Sequence, residues 1–247
     1  MKKLLVLALG ACMISAPSFA QKQSGGEKNF QVLFAPLGGN PVSIGGISYR
    51  KFNGAGDAAW RVNLFIGLNS KTEVTGQPVD TGSFATGGAV PEADKKTSGM
   101  TISIRPGYEK HFAGTDRLSP YVGAEILFSM TTSKVTQDTV MVNTVAVAPT
   151  SYQVMTTTKK GDGASTSFGV NLLAGFDYYI AKGLSLGAEF GFGFSTTSMP
   201  NITSERAQYN KTSGTPEVVA NRDKIQGSSM QVGPNVVGQL KLGWLFN

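Results

Sequence analysis

Hydrophobic and polar residues alternate with a period of two over long segments of this chain, and such alternation predicts β-strands. Successive side chains of a strand point to opposite faces, so each segment separates one apolar face from one polar face. We predict eight strands, at 29–37, 42–53, 58–74, 97–112, 118–136, 163–181, 184–198 and 229–246. Helical periodicity is absent from the sequence, and no later apolar run is long enough to form a membrane-spanning helix.

The connections between the predicted strands alternate in length. Short turns near 53–57, 114–116 and 181–183 alternate with long loops at about 75–96, 137–162 and 199–228. A short link near 38–41 is the exception on the long-loop side. The later segments are 12 to 19 residues long, whereas a tilted membrane-spanning strand needs about 9–11. The pattern predicts an all-β, eight-stranded antiparallel up-and-down transmembrane β-barrel with short periplasmic turns and long extracellular loops.

The two phases of the strands differ in residue size as well as polarity. Large apolar side chains fill one phase, whereas glycine and charged or polar residues fill the other, as in Ser185, Gly187 and Glu189. Glycine weakens a solvent-exposed strand but leaves room inside a crowded barrel. We therefore expect the apolar phase to face lipid. The alternative is a soluble lipocalin-like carrier with the faces inverted.

Aromatic residues collect near the short-turn ends of the strands, and amphipathic rings suit a membrane–water interface. The predicted periplasmic aromatic girdle consists of Phe52, Trp60, Tyr108, Phe112, Tyr121, Tyr178, Trp244 and Phe246.

Charged residues on the polar phase predict a network inside the barrel. The expected lumen network consists of Arg50, Arg61, Arg105, Glu109, Glu125, Asp177, Glu189 and Lys241. Buried charges must be paired, and the interior of eight strands is just wide enough for side chains. A salt-bridge network that fills the lumen is favoured, and a narrow ion path lined by these charges is the alternative.

The N-terminus predicts export. Lys2 and Lys3 precede a short apolar run, and small residues end at Ala20, so residues 1–20 are predicted to be a signal peptide. A short lead (21–28) and the barrel (29–247) then form the mature chain. Cys12 lies in a lipobox-like sequence, so lipidation at Cys12 is the alternative.

Composition limits the classes of function and binding site that the chain can have. The formal net charge is +6, or about +4 without Lys2 and Lys3. No basic cluster is longer than two residues, which argues against nucleic-acid binding. Cys12 is the only cysteine and His111 the only histidine, so we expect no metal site and no cofactor. We predict that His111 is a solvated interface residue, and we expect no enzymatic activity.

The loop between the fifth and sixth strands predicts a protruding hairpin. Residues 139–148 and 151–158 are rich in Val, Met and Thr and are joined at Pro149 and Thr150. Its exposed edge could pair with a strand of a partner protein. The alternative is a hairpin that touches only neighbouring loops.

The C-terminal segment 238–246, Gly-Gln-Leu-Lys-Leu-Gly-Trp-Leu-Phe, resembles the signal strand that the barrel assembly machinery reads, although Asn247 follows the aromatic residue. From about residue 29 the chain resembles the small OmpA/OmpX-type outer-membrane barrels, and Gln21 as first residue resembles secreted proteins of Bacteroidetes. This resemblance carries no catalytic motif.

The interpretation we favour is a non-enzymatic outer-membrane barrel with a plugged lumen, serving envelope integrity or surface interaction. The expected partners are outer-membrane lipid and lipopolysaccharide, the assembly machinery, and a surface ligand at the three long loops. The alternative function is a narrow pore for small solutes or ions.

Overall fold

The computed structural model describes residues 22–34, 44–76, 93–142, 152–209, 216–223 and 227–247. The predicted signal peptide, with Cys12, and Gln21 lie outside the described residues. The described strands are β1 Lys28–Phe34, β2 Ile44–Phe52, β3 Ala58–Gly76, β4 Ala93–His111, β5 Leu118–Val142, β6 Tyr152–Lys160, β7 Ser165–Ala181, β8 Leu184–Met199, β9 Ile202–Tyr209, β10 Pro216–Asp223 and β11 Gly227–Phe246. No helix among these residues is long and apolar enough to cross a membrane.

Eight of these strands close into a barrel, which confirms the predicted all-β fold. Antiparallel pairing runs in the order β1, β2, β3, β4, β5, β7, β8, β11 and returns to β1. The closing pair joins β1 to β11, with Phe30 opposite Trp244. Closure pairs both edges of each barrel strand and so removes the free edges of an open sheet.

The faces of the barrel have the polarity of a membrane protein. Large apolar side chains point outward, including Trp60, Leu68 and Leu172, which are 70%, 77% and 69% exposed. Among the described residues, eighteen buried side chains are polar or charged, against eleven apolar ones. A soluble barrel needs the opposite arrangement, because burial of apolar surface is its main driving force. The lipocalin-like alternative therefore conflicts with the structure.

Glycines on the inward phase make room for larger side chains. A Cβ atom at Gly175 would lie 2.5 Å from Tyr121 Oη, and one at Gly187 would lie 2.5 Å from Asp177 Oδ1. Both distances are far below van der Waals contact, so neither position accepts a side chain without displacing its neighbour.

Two members of the predicted aromatic girdle face the interior instead. Trp60, Tyr108, Phe112, Trp244 and Phe246 are exposed on the outer surface, and Tyr178 is half-buried on the same phase. The two exceptions are Phe52 and Tyr121.

Phe52 and Tyr121 are each only 2% exposed, and this corrects their assignment to the girdle. Phe52 lies two residues from Arg50, and Tyr121 lies four residues from Glu125. Because the side-chain period of a strand is two, each must share the inward face with the charged residue on its own strand.

The strands extend past the barrel at the long-loop end. Residues 134–142 of β5 pair with β6, as predicted for the arms of the hairpin, and its predicted tip at Pro149 and Thr150 lies outside the described residues. The outer edge of β6 pairs with β9, and β9 pairs with β10. This corrects the expectation that the edge of the hairpin is open to a partner strand, because the loop between β8 and β11 supplies a strand that covers it.

Candidate functional site

The buried charged side chains of the described residues lie in the lumen, near the short-turn end of the barrel. Inward-facing positions of β2, β3, β4, β5, β7, β8 and β11 supply its charged side chains. All eight predicted lumen charges lie here, and seven of them are fully or almost fully buried. Arg105, the eighth, keeps 17% of its side chain exposed.

Arg61 lies at the centre of this cluster. Its guanidinium donates two hydrogen bonds to Glu189, from Nη1 to Oε2 at 2.6 Å and from Nη2 to Oε1 at 2.9 Å. Nη1 also lies 3.2 Å from Glu109 Oε2. Two-pronged arginine–carboxylate pairs are among the strongest hydrogen-bonded contacts in proteins, and they fix orientation as well as distance.

Further ion pairs close the cluster into a cycle. Arg50 Nη1 lies 2.7 Å from Glu109 Oε1 and 2.8 Å from Asp177 Oδ2. Lys241 Nζ lies 3.1 Å from Glu189 Oε2 and 3.7 Å from Asp177 Oδ1. We call this cycle of alternating cations and anions the charge ring. Its members, in order of contact, are Arg50, Glu109, Arg61, Glu189, Lys241 and Asp177.

A neutral side chain, that of Tyr121, adds hydrogen bonds to the charge ring. Tyr121 Oη donates to Glu189 Oε2 at 2.5 Å and accepts a hydrogen bond from Lys241 Nζ. Sequence reasoning missed this role of Tyr121, although its place on the inward phase of β5 was a sufficient signal. A buried carboxylate is tolerated only when its remaining lone pairs are satisfied, and Tyr121 supplies one such contact.

Glu125 forms a second layer on the long-loop side of the charge ring. Asn63 and Asn171 donate to its two oxygens at 3.1 and 3.0 Å. Arg61 and Arg105 lie farther away, at 3.7 and 3.6 Å. Arg105 therefore forms only a long ion pair with Glu125, and its guanidinium stacks 4.5 Å from the centre of the Phe65 ring.

His111 is buried beneath the charge ring, which corrects its prediction as a solvated interface residue. It is 4% exposed because it shares the inward phase of β4 with Glu109. Nε2 lies 3.1 Å from Glu109 Oε1, and Nδ1 lies 2.7 Å from Ser119 Oγ. This order of serine, histidine and carboxylate resembles a hydrolytic triad, and Ser119 is completely buried.

The N-terminal lead is hydrogen-bonded to the short-turn end of the barrel. We call residues 22–27 the N-terminal strap. Gln23 Nε2 donates to Ser119 Oγ at 2.7 Å and lies 3.2 Å from His111 Nδ1. Backbone hydrogen bonds hold the strap to two turns, from Lys22 N to Asp116 O and from Gly26 N to Asn53 O. The strap therefore lies against the turns at the end of the lumen that the charge ring occupies.

The long-loop half of the lumen is neutral. Hydroxyl groups pair between adjacent strands here, with 3.1 Å between the Oγ1 atoms of Thr101 and Thr131 and 2.8 Å between Ser167 Oγ and Thr197 Oγ1. A cavity of about 310 Å³ lies at this end, lined in part by Gly67, Thr101 and Thr131. Among the described residues, no group of three or more histidine or acidic side chains is arranged to hold a metal ion.

Comparison with known proteins shows a match to a family of outer-membrane proteins. A family model described as "Putative OmpA-OmpF-like porin family" matches residues 57–203, which is more than half of the chain and runs from the turn before β3 into β9. No curated protein matches the chain.

Proposed function

This chain belongs to the OmpA-OmpF-like porin family, and on that premise we propose that it is a non-enzymatic outer-membrane barrel with a plugged lumen. Membership makes it a porin-like outer-membrane β-barrel. In our proposal the short-turn end faces the periplasm, and the strands and loops at the other end face outward. Its role is envelope integrity and surface contact, and solute passage is not its main activity.

The observation that carries this proposal is the charge ring. Its six side chains are between 0% and 2% exposed, and each contacts at least two neighbours of opposite charge. Removing one partner of a buried ion pair costs about 3–5 kcal/mol, so the ring resists opening. The N-terminal strap adds a second closure at the same end.

A non-enzymatic role is supported by the state of the potential catalytic groups. Ser119 is buried under Gln23, and Glu109 is engaged by Arg50 and Arg61. A nucleophile must reach a substrate carbonyl, and a buried serine under a strap does not.

A narrow ion path is the second candidate function. The neutral long-loop half of the lumen and the residual exposure of Arg105 favour it. In that case the charge ring would be a constriction whose paired charges separate to admit an ion.

The remaining partners follow from the faces of the barrel. We propose that outer-membrane lipid and lipopolysaccharide surround the apolar band and that the assembly machinery reads β11. A predicted signal peptide (1–20) would direct export. A surface ligand would bind at the segments 75–96, 137–162 and 199–228.

Single-channel recording in planar bilayers tests the plugged lumen. We expect no stable conductance steps from the wild-type protein. The double variant R61A/E189A removes one cation and one anion together, so it keeps the net charge while hollowing the ring, and we expect it to conduct. The matched control is T101A/T131A in the neutral half, which we expect to remain closed. Stable ion-selective steps from the wild type would favour the pore instead.

A further inference from the structure

The strand register aligns serine and threonine residues in two neighbouring rows across the long-loop half of the lumen. The first row crosses β4, β5, β7 and β8, and its directly opposite residues are, in turn, Ser103, Ser129, Ser167 and Thr197. The second row lies one inward position farther from the charge ring and contains Thr101, Thr131 and Ser165. Six of the seven are half-buried, and Ser103 is buried. We call these seven residues the hydroxyl belt.

The hydroxyl belt keeps much of its hydrogen-bonding capacity for another group. Two hydroxyl pairs form within it, Thr101 with Thr131 and Ser167 with Thr197. Each hydroxyl has one donor hydrogen and two lone pairs, so a pair that shares one hydrogen leaves a second hydrogen and further lone pairs. The belt can therefore donate to a ligand and accept from the same ligand.

An acceptor and a set of donors lie next to the belt on its charge-ring side. Asn63 and Arg105 are directly opposite each other, one inward position closer to the charge ring. Asn63 is 1% exposed, and its Nδ2 donates to Glu125, whereas its Oδ1 has no hydrogen-bond partner among the described residues. Arg105 is partly exposed, holds Glu125 only at 3.6 Å, and is oriented by its stacking on Phe65. A buried polar atom is costly to leave unpaired, so Asn63 Oδ1 indicates a donor that the described protein residues do not supply.

Glycine leaves room for a ligand beside the belt. A Cβ atom at Gly67, which is directly opposite Thr101, would meet only Thr101 Cβ, at 3.8 Å. The cavity of about 310 Å³ lies at this glycine. In the other half of the lumen, a Cβ atom at Gly175 would lie 2.5 Å from Tyr121 Oη. A volume of about 300 Å³ is at the lower limit for small-molecule sites, so a ligand here must be small.

The charges around the belt favour a neutral ligand. The belt itself is uncharged, and the lumen charges on its short-turn side are four cations and four anions. Beyond the belt, the inward register positions carry both signs, at Lys71, Lys95, Lys159, Arg206, Glu73, Glu217 and Asp223. An ion that enters the belt loses hydration without meeting a large opposite charge, whereas a neutral hydroxylated solute exchanges its hydrogen bonds with water for hydrogen bonds with the belt.

We propose that the hydroxyl belt, together with Asn63 and Arg105, binds a small neutral polyhydroxylated solute of the size of a monosaccharide. Neighbouring hydroxyl groups of such a solute donate to Asn63 Oδ1 and accept from Arg105, and its other hydroxyl groups pair with the belt. The solute is held on the long-loop side of the charge ring and does not pass it. The inference goes beyond the proposed function and rests on the orientation given there, in which this side faces outward.

Saturation-transfer NMR of the full-length protein, in a detergent without a sugar headgroup, tests the class of ligand. The probe is glucose, and the references are glucuronate and glucosamine, which carry one charge on the same ring. We expect glucose to bind with a dissociation constant on the order of a few millimolar. We expect each charged sugar to bind at least about tenfold more weakly. Absence of glucose binding, equal binding of the three sugars, or stronger binding of either charged sugar would overturn the inference.

Two variants test where the sugar binds. Gly67→Leu fills the cavity beside the belt, and its matched control Ser70→Leu adds the same side chain to the outward phase of the same strand. The variant S167A/T197A removes one hydroxyl pair and leaves the cavity open. We expect glucose binding to weaken by about tenfold or more in Gly67→Leu and by about fivefold in S167A/T197A, and to be retained in Ser70→Leu.

Equal glucose binding by Gly67→Leu and Ser70→Leu would contradict a site in the lumen, and unchanged binding by S167A/T197A would contradict the role of the belt. The comparison of the three sugars needs no variant, so it decides the question even if a variant fails to fold.

Failure of the inference and failure of the proposed function give different results. Stable conductance steps from the wild-type protein contradict the plugged lumen, whether or not glucose binds. A wild-type barrel that stays closed in bilayers and does not bind glucose contradicts only the solute site.

Discussion

The two halves of the lumen differ in how they are filled. The short-turn half contains the charge ring, with every member buried and paired, and the N-terminal strap lies under it. The long-loop half contains serine and threonine hydroxyls and a cavity of about 310 Å³. The same strands with the same alternation build both halves, so the difference comes from side chains alone. Substitutions should therefore be costly in the first half and mild in the second.

The largest effect is expected from Glu189→Gln. The change removes the carboxylate that Arg61 and Lys241 share, so each keeps only its other ring partner, Glu109 or Asp177. The buried ring then carries one uncompensated positive charge, which costs about 3–5 kcal/mol. Urea unfolding in detergent or vesicles measures this loss. Thr101→Ala, in the neutral half, serves as control and should cost about 1 kcal/mol. Equal losses at the two positions would contradict the contrast between the halves.

A glycine comparison sharpens the same contrast. Gly175→Ala places a Cβ atom 2.5 Å from Tyr121 Oη and 2.6 Å from the carbonyl oxygen of Ala188, and we expect a loss of about 1–3 kcal/mol from overpacking. Gly67→Ala in the other half meets only Thr101 Cβ, at 3.8 Å, and should be tolerated. The unfolding midpoint of each variant checks this prediction, and a tolerated Gly175→Ala would show that the lumen is less tightly packed than described.

The strap should contribute less than the ring. Gln23→Ala removes the hydrogen bond to Ser119 and the contact with His111, and we expect a loss of about 1 kcal/mol. Hydrogen exchange at the amides of Lys22 and Gly26 should accelerate, while exchange within β3 and β8 stays unchanged. Protection of the strap amides that survives the substitution would mean that the backbone hydrogen bonds alone hold it.

The smallest effect is expected in a solvent-exposed turn. Hydrogen bonds from Lys110 and Asn53 hold the pKa of the Asp57 carboxyl below its usual value. A lowered pKa in the folded state contributes stability above the pKa of the unfolded state, and this contribution is lost as the pH falls through the folded pKa. Asp57→Asn should therefore slightly flatten the acid side of the pH–stability curve and leave neutral pH almost unchanged. An unfolding midpoint that falls sharply at neutral pH would contradict this prediction.

Much of the fold and lumen could be predicted from alternation alone. A period of two assigns faces without knowledge of strand pairing, and this logic also places Phe52 beside Arg50 and Tyr121 beside Glu125 on the inward phase. The prediction of the girdle used only the nearness of Phe52 and Tyr121 to a turn. It did not use the period of two, and it therefore placed both residues on the wrong face. The same constraint places His111 inside with Glu109.

Other features depend on contacts that sequence does not reveal. The pairing of β6 with β9 joins two loops that are far apart in the chain, and short strands within loops carry weak alternation. The cycle of the charge ring depends on how far each side chain reaches across the lumen. The residue types indicate that cations and anions meet in the lumen. Only the geometry shows that Arg61 donates hydrogen bonds to Glu189 from both Nη1 and Nη2.

A double-mutant cycle between Arg61 and Glu189 tests the central claim, that paired charges hold the lumen closed. The single variants R61A and E189A and the double variant would be unfolded under identical conditions. Each single change leaves one uncompensated charge in the buried ring, whereas the double change removes one charge of each sign. We therefore predict that the double variant loses less than the sum of the singles, with a coupling of about 2–3 kcal/mol. Additive losses, within about 0.5 kcal/mol, would show that the two residues act independently and would contradict the charge ring as the element that closes the lumen.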